Sequence, residues 1–126
     1  GFWMNNTVPH YDLNEFVSLL QKYSVEVVYA SNGYHLTGKY ENFTLLNCGI
    51  ADNKVFGVQM TYNIYFRNQN IVLDGNYFPR TLNSIETHIK KLIKKFKDIR
   101  INLRIKDLNE DFKWYYIRVE LTVKCF

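Results

Sequence analysis

The sequence predicts an α+β fold in which helices pack against one face of a mainly antiparallel sheet. Three observations indicate this fold: a short apolar pattern of helical period near the N-terminus, four runs rich in β-branched and aromatic residues, and a longer helical pattern after Pro79. The 126 residues contain no linker, internal repeat or low-complexity segment. We therefore expect a single domain over 1–126, in which 1–11 form an irregular N-terminal segment.

The first predicted element is a helix over 12–23. The Asp12 side chain can accept hydrogen bonds from the amides of the first turn, and Glu15 occupies the third helical position, as in a capping box. One apolar face follows at helical spacing; it consists of Leu13, Phe16, Val17 and Leu20.

Four strands are predicted to follow as an antiparallel meander packed on this helix. Asn32-Gly33, a strong hairpin signal, separates the first two, and the turn-like stretch Ala51-Asp52-Asn53 separates the last two. Gly57 in the fourth run is typical of a bulge. The four runs are 25–31, 34–41, 43–50 and 54–67. The segment 67–80 is predicted to be a loop, with a minor strand at Ile71–Leu73 as the alternative.

A long basic amphipathic helix is predicted over 81–111. Its apolar seam recurs at intervals of three and four, at Leu82, Ile85, Ile89, Leu92, Phe96, Ile99 and Leu103. The residues from Ile99 to Ile105 also alternate as in a strand, so a hairpin with the end of the chain is the alternative. We favour a helix, with a possible break near Ile99, because 107–111 contains no Gly or Pro for a hairpin turn. The closing run 112–123 alternates and is predicted to be a C-terminal strand joining the sheet.

The sequence contains no motif for catalysis, cofactor binding or metal binding. The four serines lie outside a nucleophile elbow, the glycines form no phosphate-binding loop, and His10, His35 and His88 are isolated from one another. Glu110 and Asp111 are adjacent, but neighbours on a helix diverge by about 100° and do not converge on one substrate. We therefore expect a protein that is not an enzyme and holds neither cofactor nor metal.

The cysteines and the hydropathy indicate the compartment. Cys48 and Cys125 do not form a disulfide framework, and we expect both to be free thiols in a reducing, cytoplasmic environment. No apolar run approaches the roughly 20 residues that a membrane span needs, so we expect no membrane partner.

Basic residues are concentrated in the segment 90–106. This segment contains eight basic residues and one acidic residue, Asp98, so its net charge is +7. The whole chain has a net charge of +4, which leaves −3 for the other 109 residues. The candidate partner-binding residues are Lys90, Lys91, Lys94, Lys95, Lys97, Arg100, Arg104 and Lys106.

Like charges at this density repel one another along a helix, which favours a partner of opposite charge. The predicted partner is nucleic acid or a nucleoprotein complex, whose phosphates would release counterions on binding; an acidic protein surface is the alternative partner. A third interpretation is the solvated face of an amphipathic helix, whose lysines complement the helix dipole. Tyrosines of the predicted strands could stack on bases or fill the pleated faces; they are Tyr29, Tyr34, Tyr40, Tyr62, Tyr65, Tyr115 and Tyr116.

The function expected from these features is a non-enzymatic binding protein that engages nucleic acid or a nucleoprotein through its basic helix. The alternative is a small inhibitor of the counter-defence or immunity type, encoded by a phage or mobile element, that blocks a nuclease or its guide-RNA complex by protein–protein contact. Lys, Asn, Ile, Tyr and Phe are abundant and Ala and Pro are rare, which indicates an AT-rich genome.

Overall fold

The computed structural model describes the backbone of residues 8–124 and the side chains of residues 8–104. Within these residues it contains six strands and two helices. In chain order they are β1 (His10–Asp12), α1 (Leu13–Lys22), β2 (Glu26–Tyr29), β3 (His35–Tyr40), β4 (Phe43–Ala51), β5 (Lys54–Arg67), β6 (Asn70–Tyr77) and α2 (Leu82–Lys124). The predicted architecture is therefore wrong in its strand count and in its last element, although helices do accompany a mainly antiparallel sheet.

The helix α1 begins as the capping pattern predicts. Asp12 has an extended backbone, and its Oδ2 accepts a hydrogen bond of 3.1 Å from the backbone amide of Glu15. Phe16 and Leu20 lie one turn apart on the face that enters the core, and both are fully buried. The predicted N-terminal helix is confirmed.

All strand pairs in the sheet are antiparallel, and the strand order is β1-β5-β4-β3-β2. β5 is long enough to pair with two strands along the edge that faces away from β4. One end pairs with β1, through Tyr11 and Val55, and the other end pairs with β6, through Ile64 and Leu73. The expectation that 1–11 are irregular is wrong at residues 10 and 11, which belong to β1; residues 1–7 lie outside the described residues.

Two-residue turns join β3 to β4, β4 to β5 and β5 to β6. In each turn both residues have positive φ: Glu41 and Asn42, Asp52 and Asn53, Asn68 and Gln69. Two successive left-handed residues make the type I′ turn, whose twist matches that of antiparallel strands. The sheet also contains the predicted bulge, because the register between β4 and β5 shifts opposite Gly57, which has a φ of 60°.

Most of the segment predicted as a loop, 67–80, is the strand β6. The segment is rich in polar residues, so its sequence did not indicate a strand. In the structure Ile71 and Leu73 nevertheless pack against the core. Pairing along β5 from Asn70 to Tyr77 satisfies the backbone polar groups of this segment that face β5 and compensates for its weak strand propensity.

One face of the sheet forms the core together with both helices. The sheet contributes Leu36, Leu46, Met60 and Ile64, α1 contributes Phe16 and Leu20, and α2 contributes Ile85, Ile89, Leu92 and Phe96. The seam predicted for the long helix therefore faces the core, and α2 continues without a break past Ile99, which is partly buried against the same cluster.

The C-terminal strand predicted over 112–123 is wrong, because the backbone of α2 remains helical to Lys124. No Gly or Pro follows Pro79 in the chain, so nothing in the sequence ends the helix. Extending an existing helix by one residue adds a hydrogen bond without a new nucleus, and this outweighs the alternating pattern of the closing run. The 43 residues of α2 span about 64 Å at 1.5 Å per residue.

Candidate functional site

The candidate site is the basic segment 90–106, which lies entirely on α2. The helical period separates its cations from the buried seam, because Ile89, Leu92, Ile93 and Phe96 occupy the face that enters the core. Seven of the eight predicted cations have described side chains; the side chain of Lys106 lies outside the described residues.

Four cations form a row on the outward face of α2. Lys90, Lys94, Lys97 and Arg104 are all exposed. At about 100° per residue they fall within an arc of about 80°, and at 1.5 Å per residue the row is about 21 Å long. None of the four is in a salt bridge with a side chain of the described range 8–104. We call these four residues the outer cationic row.

Two further cations lie on the flank of α2 that faces β5. The Nζ of Lys91 lies over the ring of Tyr62, 5.5 Å from its centroid. The ammonium of Lys95, one turn further on, donates a hydrogen bond to the Oδ1 of Asn63. The flank cations are therefore held against the sheet, whereas the outer cationic row faces solvent.

Arg100 lies on the opposite flank of α2. It forms a salt bridge with Glu41 in the β3–β4 turn, and its guanidinium carbon lies 5.0 Å from the centroid of the Phe96 ring. Arg100 thus links the helix to the sheet at the surface, and its charge is partly compensated by the Glu41 carboxylate.

The N-terminal part of α2 is held by polar contacts. The hydroxyl of Thr81 accepts a hydrogen bond of 3.0 Å from the backbone amide of Ser84, which caps the first turn. The carboxylate of Glu86 accepts hydrogen bonds from the Tyr23 hydroxyl at 2.7 Å and from the Lys22 ammonium at 3.2 Å. These two bonds lower the pKa of Glu86, and Lys90 contributes a smaller effect of the same sign. They also join α1 to α2.

His88 is buried between α2 and the sheet rather than solvated. It is 7% exposed, its Nε2 lies 2.7 Å from the backbone carbonyl oxygen of Thr61, and its ring centroid is 4.4 Å from that of Tyr77. Burial lowers the pKa of His88, the hydrogen bond to Thr61 opposes this shift, and the nearby charge of Lys91 adds to it. A neutral imidazole with one donated hydrogen bond fits this environment, so His88 serves packing.

The other residues with reactive side chains do not cluster. His10 and His35 are exposed on separate strands, and Cys48 is a free, buried cysteine. Burial raises the pKa of the Cys48 thiol to about 12. Cys125 and the side chains of Glu110 and Asp111 lie outside the described residues. Within the described part of the chain, no group of three or more His, Cys, Asp or Glu residues is placed to hold a metal ion.

The strand tyrosines have separate surroundings rather than one common face. Tyr29 and Tyr34 are exposed at the β2–β3 hairpin, and Tyr40 packs edge-on against Phe96. Tyr62 is the one in contact with a cation of the basic segment. Tyr65 is half-buried, and the side chains of Tyr115 and Tyr116 lie outside the described range, on a helix rather than on the predicted strand.

Comparison of the chain with known protein families, with curated proteins and with solved structures finds no match. Neither helix has a described stretch long and apolar enough to cross a membrane.

Proposed function

We propose that this chain is a non-enzymatic nucleic-acid-binding protein and that the outer cationic row contacts phosphates. The observation that carries the proposal is the exposure of four cations along about 21 Å of one rigid helix, with no salt bridge to a described acidic side chain. The basic segment has a net charge of +7 and the remainder of the chain −3, so the positive potential is concentrated on α2.

The row is long enough to contact several phosphates of a nucleic acid strand. Successive phosphates advance by about 3.4 Å along one strand of a duplex, so a row of about 21 Å runs beside about six of them. Each phosphate neutralised by a cation releases counterions, and the logarithm of the affinity falls by about 0.9 per logarithm of salt for each contact on duplex DNA. Binding by the row therefore has to be strongly salt-dependent.

The test compares two variants that change the net charge equally. The first, K90E/K94E/K97E, reverses three members of the outer cationic row. The control, K54E/R67E/R80E, reverses three exposed cations that lie off α2. Both lower the net charge from +4 by six units to −2. Binding to labelled oligonucleotides is measured by fluorescence anisotropy at several salt concentrations, after thermal unfolding has shown that each variant is folded.

We expect the row variant to bind far more weakly than the parent and to show a salt dependence that is less steep by about 0.9 for each phosphate that is no longer neutralised. The control variant is expected to bind much more tightly than the row variant. The proposal is wrong if the parent protein binds neither DNA nor RNA at low salt. It is also wrong if the affinities of the two variants fall equally, because attraction would then follow net charge alone.

One observation favours the alternative partner, an acidic protein surface. Ile101 lies between Lys97 and Arg104 on the same face of α2 and is 52% exposed, although an aliphatic side chain contributes nothing to a phosphate contact. An apolar residue surrounded by charges is the arrangement in which protein interfaces place their anchors. Replacement of Ile101 by Ser is expected to leave nucleic-acid binding almost unchanged and to weaken binding to an acidic protein partner severalfold.

A further inference from the structure

Tyr62 occupies an unusual position on the sheet. It lies on the helix-facing side of β5, between Met60 and Ile64, which are each 1% exposed, yet Tyr62 itself is 52% exposed. Alternation along a strand places all three side chains on one face. Tyr62 therefore lies beside α2, at the margin of the core, where a large aromatic surface meets solvent next to the basic segment.

The partner strand leaves room for this ring. The β5–β6 register places Gly75 opposite Tyr62, between the pairs Thr61–Asn76 and Asn63–Asp74. Gly75 has a φ of 72°, and a Cβ atom there would lie 3.1 Å from the Tyr62 Cβ and 3.6 Å from its Cδ1. The side chain of Tyr62 thus packs over Gly75, which has no side chain. Any larger residue at position 75 would compete with it for space.

Cations and a second ring flank Tyr62. The Lys91 Nζ lies 5.5 Å from the Tyr62 centroid, and the ring of His88 lies 6.5 Å away at a tilt of 30°. The neighbouring residue Asn63 binds the ammonium of Lys95. Lys91 and Lys95 are one helical turn apart, about 6 Å along the axis. An exposed aromatic ring therefore has one cation over it, and a second cation lies one helical turn further along α2, at the neighbouring residue Asn63.

This combination is specific to Tyr62 among the described residues. The exposed large apolar side chains of the range 8–104 are Tyr29, Tyr34, Tyr62, Phe66, Phe78 and Ile101. Of the aromatic ones, Tyr62 alone lies against a cation of the basic segment. Phe96, the other ring that touches such a cation, is buried and has no free face.

We propose that the nucleic acid bound by this chain contains unpaired bases, and that one of them stacks on the ring of Tyr62 while Lys91 and Lys95 lie beside its backbone. This inference rests on the proposed function. In a duplex each base is stacked between its neighbours and presents only an edge, so a protein ring reaches its face only at the cost of unstacking. Proteins that bind single strands combine a cationic track with aromatic stacking positions, and α2 provides both, because it carries the outer cationic row and its Lys91 lies beside Tyr62.

The experiment measures binding of a labelled 16-nucleotide oligo-dT, which forms no secondary structure, and of a 16-base-pair duplex at the same salt concentration. Three variants are compared with the parent. Tyr62→Ala removes the ring, Tyr62→Phe keeps it, and Tyr62→Leu keeps the apolar bulk without an aromatic face. Tyr62 is half-exposed, so Tyr62→Leu keeps the assay informative if Tyr62→Ala is poorly folded.

We expect Tyr62→Ala and Tyr62→Leu to bind the single strand about 5- to 150-fold more weakly than the parent, while Tyr62→Phe binds almost as tightly as the parent. Duplex binding is expected to change less than twofold in all three. The inference is overturned if Tyr62→Leu binds the single strand like the parent, or if single-strand and duplex affinities fall equally.

The row variant K90E/K94E/K97E separates this inference from the proposed function. If it binds neither the single strand nor the duplex while Tyr62→Ala and Tyr62→Leu bind both as tightly as the parent, the proposed function stands and the stacking position is wrong. If the parent binds neither probe, both proposals are wrong. If the parent binds the duplex more tightly than oligo-dT, the preference for unpaired bases is refuted whatever the Tyr62 variants do.

Discussion

The Nε2 of His88 lies 2.7 Å from the backbone carbonyl oxygen of Thr61. A carbonyl oxygen can only accept a hydrogen bond, so Nε2 carries the proton. Seven residues further along α2, Lys95 donates to the side chain of Asn63. These two contacts join positions two turns apart on the helix to one short stretch of β5, and Lys91 lies between them, beside Tyr62.

His88 makes the stability of the protein depend on pH. Burial lowers its pKa below the ordinary value of 6.5, and the groups that face it are Lys91, Tyr62 and Tyr77. The unfolded chain therefore binds a proton at this position at a higher pH than the folded chain does. The stabilisation is fully present above pH 6.5 and disappears as the pH falls from 6.5 towards the lowered pKa.

The measurement is the free energy of unfolding in urea at pH 7.5 and pH 5.5, for the parent and for His88→Gln. The Gln amide can still donate to Thr61 but does not titrate. We expect the parent to lose more stability than the variant between these pH values. His10 and His35 are present in both proteins, so their contributions cancel. Equal losses in the two proteins would show that His88 does not titrate differently in the folded state.

Cys48 is expected to be unreactive in the folded protein. Its thiol is buried and its pKa is raised to about 12, so at pH 8 the reactive thiolate is about one part in ten thousand. In a Cys125→Ser background, where Cys48 is the sole cysteine, a thiol reagent is expected to label no cysteine quickly in buffer and one in denaturant. Rapid labelling in buffer would contradict the buried environment of Cys48.

The cap of α1 is expected to contribute measurably to stability. Asp12 accepts a hydrogen bond from the amide of Glu15, so Asp12→Ala removes that acceptor and the negative charge at the helix N-terminus. We expect a loss of about 1 kcal/mol in the free energy of unfolding. Asp12→Asn, which keeps the acceptor, is the matched control and is expected to lose much less. A similar loss in both variants would indicate that the charge, rather than the hydrogen bond, stabilises the helix.

Gly38 is expected to tolerate no side chain. A Cβ atom at this position would lie 2.9 Å from Cγ of Leu46 and 3.1 Å from Cγ1 of Val25, both in the core. Gly38→Ala should therefore cost about 1–3 kcal/mol through overpacking. In the double variant G38A/L46A the nearest atom is gone, so the combined loss is expected to be smaller than the sum of the single losses by at least about 0.5 kcal/mol. If the losses of the two single variants add up in the double variant, contact with Leu46 is not the source of the strain.

The elements that could be predicted are those whose determinants lie close together in the chain. Asp12 and Glu15 mark the start of α1, and the apolar seam of α2 repeats without interruption from Leu82 to Leu103. β6 could not be predicted, because its stability comes from pairing along β5 rather than from its own composition. The predicted end of α2 was wrong because a local pattern was misleading. Alternation over 112–123 indicated a strand, but the helix propagates through this stretch, which contains no Gly or Pro.

The candidate site, too, could be predicted only in part from the sequence. The common face of Lys90, Lys94 and Lys97 follows from helical period alone, and all three side chains are exposed in the structure. The contact of Lys91 with Tyr62 depends on the register of β6 and on where α2 crosses β5. No local pattern in the sequence indicates the register of β6 or the point at which α2 crosses β5.

The succession of two-residue turns between β3 and β6 has a consequence for the route of folding. From β2 to β6 each strand pairs with the next one along the chain, so most of the sheet forms from contacts between near neighbours in sequence. β1 is the exception among the described strands, since His10 pairs with Phe56. Short loops close at less entropic cost than long ones. The meander is therefore expected to form first, with β1 and α1 docking onto it late, and the amide hydrogens of β1 and α1 are expected to exchange faster than those of β3, β4 and β5.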